Sequence, residues 1–295
     1  HLRSELLPAD ITFKLAPRIN AAGRVGDANV ALELLESDNI VHAYQCASEL
    51  ERFNRSRQDK EQEIYQEACE QIRQNLAWQS DCALLVAGRD WHQGVIGIVA
   101  SRLARDYNRP TIVLTIQGDV AYGSGRSVSN LNLVEVLGKT SHLLERFGGH
   151  PMAVGIGLRA EHIAEFFEAM EREIRQQLTA DQLENYLVYD GDLTLGEMDE
   201  TFFSYLPKLA PFGHSNTKPL FRVNDVEFVR CSQAGDNHSR GIIADRTGQI
   251  EFIAFNRPPS TLRGHRYDVL GSPQLNTHYH TRTMQLNLID LKELD

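Results

Sequence analysis

The chain has 295 residues, a hydrophobic content of 42% and a formal net charge of −10, which fits a globular protein of two domains with part of a third. The acidity excludes an overall basic surface of the kind that coats nucleic acid, and no apolar run approaches the roughly 20 residues that a membrane-spanning helix needs. The four cysteines, Cys46, Cys69, Cys82 and Cys231, have neither metal-ligand nor disulfide-framework spacing. No secretion signal is visible, so a reduced, cytoplasmic protein is expected. The chain opens at His1 and reads as a fragment or a processed piece. Its charge is uneven: residues 179–217 carry one basic side chain against seven acidic ones, whereas 218–295 carry ten against nine. Local basic grooves therefore remain compatible with the global charge.

Residues 1–38 reach Ala16-Pro17-Arg18-Ile19-Asn20-Ala21-Ala22-Gly23-Arg24. Pro17 favours an extended residue before it, and Gly23 and Gly26 punctuate the segment, so a loop is expected. Guanidinium groups grip phosphate oxygens bidentately, and Arg18 and Arg24 with Asn20 suit a phosphate as well as plain surface charge. Residues 39–78 hold no Gly or Pro. Ala43, Ala47, Leu50, Phe53, Ile64, Ala68 and Ile72 recur at helical steps, which predicts one long connecting helix of roughly 60 Å, weakened through the polar stretch 54–60.

Across 79–178 strand-like and helix-like segments alternate, which predicts an α/β domain. Strands are expected at 82–87, 110–115 and 120–123, and helices from about 93 to 106, at 132–144 and at 162–177. Gly123-Ser124-Gly125-Arg126-Ser127 reads as an anion loop between strand and helix. Gly148-Gly149-His150 precedes the apolar run 153–158. Adjacent glycines let a backbone approach a ligand, and successive N–H groups there can cradle an anion; a tight turn entering a buried strand explains the same residues. Residues 179–217 form an acidic connector with a helix over 197–206. From 218 to 295 five or six short strands suggest an OB-like barrel. Phe228, Phe252, Phe255 and Tyr267 there suit either the barrel core or base stacking in a basic groove. His278 and His280 alternate without a third metal ligand in sight.

Taken together, Pro17–Arg24, Trp91-His92-Gln93-Gly94, Gly123–Ser127, Gly148-Gly149-His150 and the Pro211-Phe212-Gly213 turn resemble the C-terminal half of RecJ-type single-strand-specific exonucleases of the DHH phosphoesterase superfamily. The resemblance implies the end of a DHH domain at 1–38, a DHH-associated domain at 79–178 and an OB-type barrel at 218–295. It implies 5′→3′ hydrolysis of single-stranded DNA in recombination and repair, with a 5′ end as substrate and a single-strand-binding protein or helicase as partner. On this resemblance Arg18, Asn20, Arg24, Ser124, Arg126, Gly148, Gly149 and His150 line the phosphate pocket, with His150 at the scissile site. Two Mn²⁺ or Mg²⁺ ions would activate water in such enzymes, held by a DHH segment; no Asp-His-His triplet occurs in this sequence. The expectation is thus a substrate-binding half that is inactive alone. A small-substrate DHH phosphodiesterase and a non-catalytic single-strand-binding module are the alternatives.

Overall fold

The computed structural model describes residues 8–75, 78, 80–128, 131–184, 186–213, 215–235, 237–262, 266–278 and 281–294. The chain divides into two compact units, 1–185 and 186–295.

The first unit begins with α1 (Pro8–Asp10), a π-helical turn (Ile11–Leu15), α2 (Ala16–Val25) and α3 (Asn29–Glu36). The expected phosphate loop is therefore a helix. Pro17 sits in its first turn, where no intrahelical N–H is needed, and Ala16 is helical rather than extended. The long helix is α4 (Ile40–Gln74), capped by Asn39, whose carboxamide oxygen accepts from the N–H of Val41 and of His42. It runs unbroken through the polar stretch. Asn54 is buried there, and Arg57 bridges it at 2.8 Å to Glu61 at 2.6 Å, so a hydrogen-bonded network replaces the apolar seam. The C-terminal part of α4 packs Ile64, Ala68 and Ile72 against the α/β layer, and its N-terminal part packs Leu50 and Phe53 against α2 and α3.

The α/β layer is a mixed five-stranded sheet in the order β1-β2-β3-β5-β4. It comprises β1 (Leu84–Arg89), β2 (Thr111–Gln117), β3 (Val120–Arg126), β4 (Arg146–His150) and β5 (Ala153–Arg159), flanked by α5 (Gln93–Tyr107), α6 (Leu133–Lys139) and α7 (Ile163–Arg175). Only β1 and β2 run parallel, across the α5 crossover. Period-two alternation sorts the strand residues between two cores. Val113 joins Trp91, Val95 and Val99 under α5, while its neighbours Ile112 and Leu114 join Leu133, Leu137, Phe166 and Met170 under α6 and α7. The glycine-serine-arginine segment read as a loop is part of β3, since Gly123 and Gly125 sit directly over Leu114, Ile156, Ile112 and Val154.

In the second unit β7 (Phe221–Ala234), at 14 residues, is longer than the short strands expected of the barrel. With β8 (His238–Ala244), β9 (Gln249–Ala254), β10 (Arg266–His278) and β11 (Thr281–Leu294) it forms a sheet that β10 closes by pairing with both β11 and β7. Closure removes the exposed edges that short strands leave. The two-residue β6 (Gly191–Asp192) joins β7 beside it, and α8 (Glu200–Tyr205) precedes the barrel. Phe252 and Tyr267 are buried, and Phe228 meets both rings edge-on at 5.0 and 5.3 Å. Of the four aromatics noted in the sequence, only Phe255 is exposed. The acidic Asp190-Gly191-Asp192 segment, which runs into β6, is structural: Asp190 accepts from Leu220 N–H and Asp192 pairs with Arg222. His280 lies outside the described residues.

Candidate functional site

A cavity of about 560 Å³ opens in the first unit between α2, the start of α5 and the β3-β5-β4 side of the sheet. That volume falls inside the roughly 300–1,000 Å³ usual for small-molecule sites. Strand alternation builds it. Tyr122, Ser124 and Arg126 share one face of β3, because the intervening Ala121, Gly123 and Gly125 face the core. Antiparallel register carries that face across β5 to β4, setting Ser124 opposite Gly155, and Gly155 opposite Gly148. The next cross-strand neighbours are Tyr122, Gly157 and Arg146. The floor of the cavity is thus largely backbone.

Three arginines converge on it: Arg24 from α2, Arg126 from β3 and Arg146 from β4. Arg126 donates to Ser101 Oγ at 2.9 Å, to Ser124 Oγ at 2.9 Å and to the Gly125 carbonyl at 2.7 Å. All three partners are neutral. Burial, and then the charge of Arg24, press its guanidinium below the usual arginine range. Arg24 donates to the Gly94 carbonyl at 3.1 Å, and the Arg146 guanidinium lies 4.8 Å from the centre of the Tyr122 ring. Among the described residues no carboxylate lines the cavity. Cations gathered without a counter-ion favour an anion.

The Trp-His-Gln-Gly segment shapes the wall. The Trp91 indole N–H donates to Glu67 at 2.8 Å and anchors the turn to α4, and His92 Nδ1 caps α5 by accepting from the Gly94 N–H. Gln93, Gly94 and Gly97 then face the cavity from the first turns of α5, where the helix dipole favours negative charge. A Cβ on Gly94 would stand 2.1 Å from the Arg24 carbonyl oxygen, so only glycine lets α2 and α5 approach this closely.

Of the residues singled out in the sequence, Arg24, Ser124, Arg126 and Gly148 come together in this cavity. Arg18 instead donates to Glu51 at 2.6 Å and to the Lys14 carbonyl, and Asn20 is exposed on α2. Gly149 and His150 continue β4 outside the lining. Gly149 has φ of 141°, and a Cβ there would lie 2.3 Å from the Ala153 carbonyl oxygen. Sequence reading missed Tyr122, Gln93, Gly94, Gly97 and Arg146 as site residues. Period two counted back from Ser124 would have found Tyr122, had the segment been read as a strand.

The cavity does not fit Mn²⁺ or Mg²⁺, which take hard oxygen ligands. Its described lining offers arginines, glycines, Ser124, Tyr122 and the neutral carboxamide of Gln93 among apolar side chains, with neither carboxylate nor imidazole. Among the described residues one His/Cys/acid grouping occurs, Glu33, His42 and Cys46, and none of its members lines the cavity.

The fold and cavity define an α/β DHH-associated domain followed by an OB barrel: residues 80–176 match the DHHA1 domain family and 189–290 the RecJ OB domain family. A single-stranded-DNA-specific exonuclease RecJ of Bacillus subtilis is 34% identical over 290 residues, covering 95% of this chain and 36% of the relative. The enzyme of the same name from Dickeya dadantii is 35% identical over 265 residues, covering 86% of this chain and 45% of the relative. The crystal structure of RecJ from Thermus thermophilus in complex with Mn²⁺ superposes with a TM-score of 0.79 at 26% identity, covering 97% of this chain and 42% of that one. The chain is a homologue of the RecJ exonucleases that carries their DHHA1 and OB domains. It spans less than half the length of these relatives.

Proposed function

We propose that this chain is the substrate-holding part of a cytoplasmic, single-stranded-DNA-specific 5′→3′ exonuclease of recombination and repair. The observation that carries the reading is the trio Arg24, Arg126 and Arg146 around a backbone floor with no carboxylate in the described lining. Such a site takes a phosphate, and we assign it the 5′-terminal phosphate of the strand. Ser124 and Gly148 add a hydroxyl and a bare backbone beside it. Gly149 and His150, continuing β4, and Arg18 and Asn20, one to two turns before Arg24 on α2, contact the adjoining nucleotides, with His150 nearest the scissile bond.

The barrel guides the rest of the strand, with single-strand-binding protein or a helicase as the source of that strand. A small-substrate phosphodiesterase would have no use for the barrel. Hydrolysis needs Mn²⁺ or Mg²⁺ held by residues outside this chain, because the cavity lacks oxygen ligands of the right kind.

The test is a binding and turnover assay on the purified chain with a labelled single strand. A 5′-phosphorylated strand is expected to bind more tightly than its 5′-hydroxyl and duplex counterparts, and Mn²⁺ is expected to bring no release of mononucleotides. Equal affinity for the three, or steady mononucleotide release, overturns the reading.

A further inference from the structure

Away from the cavity, α3 and α4 bring three different ligand types together. Cys46 and His42 stand one turn apart on α4, and Glu33 reaches them from α3. His42 Nε2 lies 3.7 Å from Cys46 Sγ and 3.5 Å from Glu33 Oε2, and Cys46 Sγ lies 4.0 Å from the same Oε2. A tetrahedral Zn²⁺ with bonds of about 2.3 Å to sulfur and about 2.05 Å to nitrogen and oxygen sets S···N and S···O about 3.6 Å apart and N···O about 3.3 Å apart. The three edges of this triangle are thus already close to those of a zinc site. Only the sulfur–oxygen edge must close by about 0.4 Å.

The frame holding these atoms is rigid where it needs to be. Cys46 is buried. His42 belongs to the first turn of α4, whose entry is fixed by the Asn39 cap. Ala31 and Leu34 of α3 pack in one cluster with Leu50 of α4, which holds Glu33 at its distance. Glu33 and His42 remain about half exposed, with side-chain exposures of 55% and 48%, so an ion can enter and a fourth position faces solvent.

We propose that Glu33, His42 and Cys46 form a binding site for a thiophilic divalent cation, Zn²⁺ in the first place. A thiolate–imidazole–carboxylate set suits zinc and disfavours Mg²⁺ and Mn²⁺, which prefer all-oxygen shells. Cys46 binds as the thiolate and releases its proton to solvent as the sulfur–metal bond forms. The ion pins the end of α3 to the start of α4, and water completes its shell. The site is independent of the phosphate cavity and stands whether or not that cavity binds DNA.

The test is a titration of the metal-free full chain with Co²⁺, which reports a cysteine ligand by thiolate-to-cobalt absorption, followed by displacement with Zn²⁺. One equivalent is expected to develop the band, Zn²⁺ to abolish it, and excess Mg²⁺ or Mn²⁺ to leave it intact. Cys46→Ser removes the band, and Glu33→Gln and His42→Ala each weaken binding by at least about tenfold, since loss of a mere supporting partner already costs that much. Zn²⁺ raises the unfolding midpoint of the parent chain, and at the same concentration it raises that of His42→Ala less. No band in the parent overturns the proposal. So does a band that survives Cys46→Ser, or one indifferent to both Glu33→Gln and His42→Ala; those two exposed positions keep the test decisive should Cys46→Ser fail to fold.

Discussion

Replacing Arg126 by alanine separates the needs of the proposed phosphate site from those of the fold. In the unliganded protein the guanidinium is half-buried, sits within the field of Arg24 and has only neutral partners in Ser101, Ser124 and the Gly125 carbonyl. Removing it relieves charge repulsion and desolvation at the cost of hydrogen bonds to exposed Ser101, half-buried Ser124 and the carbonyl of buried Gly125. Arg126→Ala is therefore expected to leave the thermal midpoint unchanged or raised. A phosphate reverses the sign, because it supplies the missing counter-charge. One charge-assisted hydrogen bond contributes about 2 kcal/mol, so Kd for a 5′-phosphorylated single strand should rise roughly thirtyfold. Arg24 and Arg146 remain and retain weaker binding. For a single strand, removing one arginine–phosphate pairing flattens the plot of log affinity against log salt by about 0.7. Fluorescence anisotropy from low to physiological salt measures both quantities. A Kd within about threefold of the parent at an unaltered salt slope refutes the assignment of Arg126 to a phosphate.

Gly94→Ala pushes a methyl against the Arg24 carbonyl, prising α2 from α5; strand affinity is expected to fall at least about tenfold with the barrel unaffected, read by anisotropy and by urea unfolding. Gly149→Ala meets both a forbidden φ and the Ala153 carbonyl, and should cost about 1–3 kcal/mol in urea unfolding of the first unit. In the barrel, burial pushes the Asp245 carboxyl up, but N–H donors from Leu195, Thr247 and Gly248 and the Thr247 hydroxyl outweigh it and hold it below the usual carboxylate range. A depressed carboxylate stabilises above its unfolded pKa of about 3.9 and loses that contribution as pH falls through the folded value. Barrel stability should hold steady from neutrality to about pH 5, then drop toward pH 3. Asp245→Ala should lower the neutral-pH stability by about 2 kcal/mol and blunt the acid transition; a variant with the parent's acid profile contradicts this.

The sequence disclosed the parts of this molecule whose pattern is long or repeated. Helical steps from Ala43 to Ile72 foretold α4, and clustered β-branched and aromatic runs foretold the barrel. What stayed hidden had one physical cause: glycine and proline were read by their local backbone preferences, whereas their packing and place in an element decide their use. Gly123 and Gly125 looked like a loop, yet they are strand residues kept small by the side chains above them. Pro17 and Gly23 looked like loop ends, yet one opens α2 and the other lies inside it. With the second half of β3 taken for a loop, the expected strand stopped at Gly123, and the alternation that puts Ser124 and Arg126 on the same face as Tyr122 was lost. Arg24, Ser124, Arg126 and Gly148 were legible as chemistry; that they meet was not, because the meeting depends on the register of β3, β5 and β4.

The unbroken course of α4 has a mechanical consequence. At 35 residues it is a rod of about 50 Å. Its N-terminal part carries α2 and hence Arg24, and its C-terminal part is keyed into the layer that carries Arg126 and Arg146. Its stiffness is transmitted through the Asn54-Arg57-Glu61 bracket at mid-span. The separation of the two jaws of the cavity is therefore gauged by this beam together with the direct seat of α2 on α5 at Gly94, and a kink at that bracket would strain that seat while leaving the residues of each jaw intact.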